Sequence, residues 1–112
     1  MSNKVRFAGA QIPVTQKLDE NKKAILEAIK WAGKNNCDWL LTPEGSLSGY
    51  FPNFDLVTPN GMNDIAKATY EVVTEANKQG MGIALGTLWT DIEHRGTIRR
   101  NQIRYYDSEG KF

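Results

Sequence analysis

An apolar run from Trp39 to Leu41 that stops at Pro43 constrains the fold of this 112-residue chain more than any other stretch. Proline donates no hydrogen bond to a sheet ladder, so Pro43 closes a buried strand. Glu44 then leads into the Gly- and Ser-rich segment from Gly45 to Tyr50. Turns of this kind are where a rigid scaffold displays functional groups. A carboxylate at the end of a buried strand is a good seat for a general base.

The rest of the chain supplies the frame. Val5 to Ile12 is short and almost uninterruptedly apolar, as in a strand covered on both faces, and Pro13 ends it. Asp19 is a plausible N-cap with Glu20 in the first turn, and Ile25, Ala28, Ile29 and Ala32 recur at helical spacing. This predicts a helix from Asp19 to Lys34, stopped at Asn35-Asn36, with the second strand at Asp38 to Thr42. A Pro-, Asn- and Gly-containing loop runs from Phe51 to Met62. Asn63 can cap a second helix through Gln79, with Ile65, Ala68, Val72 and Ala76 on one face and Gly80 as its stop. Met81, Ile83 and Leu85 then alternate with Gly82, Ala84 and Gly86, a strand with one bulky face and one that permits close approach. A polar hairpin region from Asp91 to Thr97 precedes the last strand, Ile98 to Tyr106. The order is strand, helix, strand, helix, strand, strand; spacing alone does not fix how the strands are arranged.

Pro43, Glu44, two spacers, Leu47, Ser48, Gly49 and Tyr50 resemble the signature around the catalytic glutamate of the nitrilase superfamily, the carbon-nitrogen hydrolases. Val5 to Gln11 resembles the family's first strand, Asn21 lies near the start of the first helix as is common there, and the run from Asn101 through Asp107, Gly110 and Lys111 is similar to the fourth strand and its turn. The resemblance covers nearly the whole chain, while family members are more than twice as long. It implies an α/β fold, a nitrilase-like half-domain spanning residues 1–112 with the order β-α-β-α-β-β. Both helices would cover one face of the sheet, which would form half of a four-layer αββα sandwich. It also implies hydrolysis of amide or nitrile C-N bonds, with a glutamate as general base for a cysteine thiol and a lysine stabilising the tetrahedral intermediate. A thiol is largely protonated at neutral pH, so a nearby carboxylate can accept its proton as attack begins.

Only one of those three catalytic positions is matched. Glu44 takes the base position, and Tyr50 and Phe51 are candidate substrate-pocket walls. Cys37 is the single thiol, but along an extended segment rising ~3.3 Å per residue it lies roughly 20 Å from Glu44. It reads as a structural cysteine. Lys111 directly follows Gly110 and reads as a solvated residue after the turn, so neither the nucleophile nor the lysine is present. The chain is expected to be inactive alone. It would be a fragment, one subunit of a split hydrolase whose partner supplies the second half, or a non-catalytic oligomerising domain.

Balanced charge, 14 basic against 13 acidic residues, gives no global field for nucleic acid or an anionic membrane. One cysteine excludes an internal disulfide framework and suits a reducing, cytoplasmic setting; no segment reads as a signal peptide or membrane span. Gly80, Gly82 and Gly86 lead into a strand rather than opening a helix, so the dinucleotide fingerprint fails. His94 lacks companions at metal spacing, and neither cofactor nor metal is called for. Arg95, Arg99, Arg100 and Arg104 with Tyr105-Tyr106 could suggest a strip for single-stranded nucleic acid, but alternation along a strand splits them between faces. Trp31, Trp39 and Trp89 read as core or interface residues. Val5, Phe7, Met81, Ile83, Leu85 and Ile103 leave both sheet faces partly apolar. If ~600 Å² stayed uncovered, its burial would be worth up to ~15 kcal/mol before the entropic cost of association. A homodimer or higher homo-oligomer through the sheet face is therefore expected.

Overall fold

The computed structural model describes residues 4–50, 59–93 and 96–112. Strands β1 (Phe7–Gly9), β2 (Trp39–Leu41), β3 (Gly82–Glu93) and β4 (Gly96–Tyr106) form one sheet in the order β1-β2-β3-β4, with helices α1 (Leu18–Lys34) and α2 (Pro59–Lys78) between the first three. The first three strands are parallel, β3 and β4 antiparallel. Each helical crossover steps to the adjacent strand in the same direction. Since such crossovers are right-handed, both helices fall on one face.

Register sorts the apolar residues between the two faces. Ala8, Leu40, Ile83 and Tyr106 are mutually paired and share the helix side. There Ile25, Ile29 and Ala32 of α1 and Ala68, Val72 and Ala76 of α2 close over Leu40, Met81, Ile83 and Leu85 as one cluster. The opposite face carries Phe7, Trp39, Leu41, Ile103 and Tyr105. Among the described residues neither α1 nor α2 lies over Phe7 and Tyr105, which are 63% and 62% exposed. The expectation of two partly apolar faces thus resolves into a packed one, holding Met81, Ile83 and Leu85, and a bare one. Val5, just ahead of β1, is exposed as well.

Several boundaries differ from the sequence reading, each for a local reason. Leu18 opens α1, Lys17 precedes it without a side-chain cap, and Asp19 sits in the first turn rather than at the N-cap. The second helix starts at Pro59, not Asn63, as proline is tolerated in a first turn whose N–H groups have no intrahelical partner. The first strand is shorter than Val5 to Ile12 because β2 offers three residues before Pro43, and the last ladder bond runs from Ala10 N–H to the Leu41 carbonyl. The supposed polar hairpin is mostly ladder, with register continuing to Glu93 opposite Gly96. Trp31 is exposed on α1 and belongs to no core, whereas the Trp39 indole lies over Gly82, where an added Cβ would be 2.9 Å from the ring. The stops hold: Asn36 has φ 55° after α1, and Gly80 has φ 73° after α2.

After β4, the Asp107 carboxylate accepts the backbone N–H groups of Glu109 and Lys111, both at 2.9 Å. The Lys111 amide is the larger cause, with Glu109 helping, of a carboxyl held below its usual range. A depressed folded pKa means that the turn's stabilisation is complete above the ordinary value near ~4 and fades as pH falls through the lower folded one. The amide resonances of Glu109 and Lys111 are accordingly expected to move together below roughly pH 4. Asp107→Asn should abolish that step; an unchanged step in the variant would contradict the assignment.

Candidate active site

Pro43 ends β2, but the backbone groups of β3 beyond that point still need partners, because an unpaired buried N–H or C=O is costly. Three hydroxyls take over the ladder. Thr42 Oγ1 accepts the Gly86 N–H at 3.0 Å, Ser46 Oγ donates to the Gly86 carbonyl at 3.1 Å, and Ser48 Oγ accepts the Leu88 N–H at 2.8 Å. The Leu47 N–H also donates to the Gly86 carbonyl. Ser46 and Ser48 are completely buried. The small hydroxyl residues of this elbow therefore have a physical cause: they fasten a non-strand segment to a strand edge.

Glycines give the elbow its path. Gly45 and Gly49 adopt φ of 63° and 80°, and the Gly49 N–H donates to the Gly45 carbonyl at 2.7 Å. At Gly86 a Cβ would fall on the Pro43 carbonyl oxygen and lie 3.0 Å from the Gly45 nitrogen. The elbow thus lies across the bare side of β3, where no side chain obstructs it. From the helix side, Asn21 is 1% exposed and donates to the Leu47 carbonyl at 2.9 Å and the Thr15 carbonyl at 2.8 Å. Its Oδ1 accepts from the Thr15 backbone N–H and hydroxyl.

Glu44 is exposed, and its Oε1 accepts a 2.5 Å hydrogen bond from Asn101 Nδ2. Asn101 pairs with Leu88 in register and shares the bare face with Ile103 and Tyr105. The carboxylate therefore opens onto the uncovered side of the sheet. Tyr50 is half-exposed at the elbow's end, its carbonyl accepting from Gln16 Nε2, and its ring edge is 3.3 Å from where a Gly45 Cβ would stand. Phe51 lies outside the described residues, as do His94 and Arg95.

Neither remaining candidate joins Glu44. Cys37 is buried in the core at the other end of β2. Lys111 is a solvated turn residue with its Nζ 3.4 Å from Glu109. Arg104 is buried, stacked between the rings of Trp89 and Phe112 and hydrogen-bonded to Tyr106 and Gln102, so its cation is engaged internally. Among the described residues no group of three metal-ligating side chains occurs, and no helix is long and apolar enough to cross a membrane. Sequence reasoning missed the contact between Asn101 and Glu44 and the anchoring by Asn21. The second had a readable signal, since Asn21 continues the buried stripe of Ile25, Ile29 and Ala32 as its single polar member.

Neither a family model nor a curated protein sequence matches this chain. Solved structures do. A glutamine-dependent NAD(+) synthetase from Cytophaga hutchinsonii superposes with a TM-score of 0.78 at 22% identity, over 95% of this chain and 17% of its own. A glutamate-to-glutamine mutant of the amidase from Nesterenkonia sp. AN1, carrying acrylamide added at its active-site cysteine, gives 0.69 at 17% identity, over 96% of this chain and 41% of that one. A cysteine-to-serine mutant of the Nesterenkonia AN1 amidase, described as belonging to the nitrilase superfamily, gives 0.63 at 16% identity, over 96% and 48%. The chain spans less than half of each of these proteins. Over nearly its whole length it has the fold of part of a nitrilase-superfamily protein.

Proposed function

We propose that this chain carries the general-base part of a carbon-nitrogen hydrolase site, acting on amide or nitrile bonds once a second layer covers its bare sheet face. The observation that carries the reading is the placement of Glu44. It projects from a fastened elbow onto the sheet face away from the described helices, with the half-exposed Tyr50 at the elbow's end as a candidate wall. The covering layer would bring the nucleophilic thiol and the lysine, since among the described residues Cys37 is buried in the core and Lys111 lies on a solvated turn. The structural neighbours include amidases, one with an active-site cysteine, in line with that chemistry. Ammonia release by an assembly that covers the face, with and without Glu44, is the test. Turnover indifferent to Glu44 would remove the reading.

A non-catalytic oligomerising domain is the second reading, and the apolar bare face favours it. Phe7, Leu41, Ile103 and Tyr105 are exposed on that one face, and exposed apolar patches mark interaction surfaces. A two-fold dimer with two sheets face to face is the simplest closed arrangement. Sedimentation equilibrium is expected to show concentration-dependent self-association, weakened by Ile103→Lys. A clean 12.6 kDa monomer at high micromolar concentration would contradict it.

A further inference from the structure

We propose that Asn101 is a positioning residue that fixes the Glu44 carboxylate and decides which of its two oxygens is left to take a proton; this rests on the reading of Glu44 as a base. An ionised carboxylate only accepts hydrogen bonds, so the carboxamide must present its NH₂ group, and it does so at 2.5 Å to Oε1. Asn101 is the one hydrogen-bond donor to Glu44 among the described residues. With Oε1 engaged, Oε2 is the oxygen free to accept.

The geometry explains why the donor comes from β4, a position 57 residues away. The elbow crosses β3 over Gly86, the strand position at which any Cβ would strike Pro43. That crossing brings Glu44 beyond β3 to the β4 residue opposite Leu88, which is Asn101. Pro43 and the hydroxyl ladder fix the backbone of the elbow, but the glutamate side chain retains three rotatable bonds. Restricting them takes a partner at the far end, and Asn101 is that partner. A general base must lie within hydrogen-bond reach of the proton it removes, so a carboxylate that swings freely wastes the placement of its backbone.

Asn101→Asp in the 112-residue chain tests this without any turnover. The substitution replaces the NH₂ donor with a group that only accepts, so the hydrogen bond is lost and repulsion turns the Glu44 side chain away from position 101. Side-chain couplings of Glu44, those of one rotamer in the wild type, should then become averaged. Adding Glu44→Gln, whose NH₂ group can donate to the carboxylate at 101, should restore the couplings of one rotamer at position 44. Position 101 is exposed on a strand, so the fold should tolerate the change. Asn101→Leu, with no polar group to offer, should average the Glu44 couplings as well. Unchanged Glu44 couplings in Asn101→Asp or in Asn101→Leu would overturn the proposal. Either result stands apart from hydrolysis, so a failure of the hydrolase reading would leave these couplings as they are.

Discussion

Gly86→Ala is expected to destabilise the chain by at least about 3 kcal/mol, whereas Gly9→Ala changes stability by no more than roughly 0.5 kcal/mol. Both glycines lie in central or edge strands and neither has a positive φ, so backbone freedom does not separate them. Space does. An added Cβ at Gly9 meets nothing within 4 Å, while at Gly86 it falls on the Pro43 carbonyl oxygen. That neighbour is backbone, which cannot rotate aside. Relief requires the elbow to lift from β3, and lifting breaks the bonds from Ser46 and Leu47 to the Gly86 carbonyl together with the Thr42 contact to its N–H. For a domain of this size the loss corresponds to a fall of roughly 12 °C or more in Tm. Thermal melts of the two variants beside the wild type measure it. Equal effects at Gly9 and Gly86 would mean that the elbow does not rest on the strand.

The same contact links the fold to the site. Lifting the elbow would also withdraw Glu44 from Asn101, so Gly86 acts on the carboxylate through packing alone.

Local chemistry made much of this legible. The buried faces of both helices follow from a 3.6-residue period, and their ends from Asn36 and Gly80, whose positive φ values suit residues that tolerate the left-handed region. The strand at Trp39 to Leu41 and its closure at Pro43 were equally plain, since a proline cannot continue a ladder. Strand order was not legible from periodicity, because it depends on pairings such as Leu40 with Ile83 that no local signal encodes. Helix starts were blurred where capping preference lost to tertiary context, at Leu18 and Pro59. The polar composition near the tip of β3 and β4 hid a ladder that needs no apolar face to persist.

For the site, the divide falls between position and partner. Glu44 stood out because a proline, a carboxylate and a glycine-serine turn coincide at a strand end. Asn101 did not, since a polar residue in an exposed strand is ordinary and only the fold brings it to the elbow. The alternating Gly82, Ala84 and Gly86 suggested close approach by another layer; two of these positions are filled from within, by the Trp39 indole and by the elbow itself.

Glu44 is proposed as the base of a hydrolase site completed by another layer. Ammonia release from a panel of amides and nitriles tests it, comparing the 112-residue chain with a chimera that joins Tyr106 to the remainder of the Nesterenkonia amidase. The chain alone is expected at background, because loss of a nucleophile removes on the order of 10⁶ in rate in a well-studied hydrolase. The folded chimera is expected to release ammonia, and Glu44→Gln, which keeps shape but cannot take a proton, should cut that rate by roughly 10²- to 10⁴-fold. A folded chimera without turnover, a chimera equally active with Gln at position 44, or Glu44-dependent turnover by the chain alone would contradict that role.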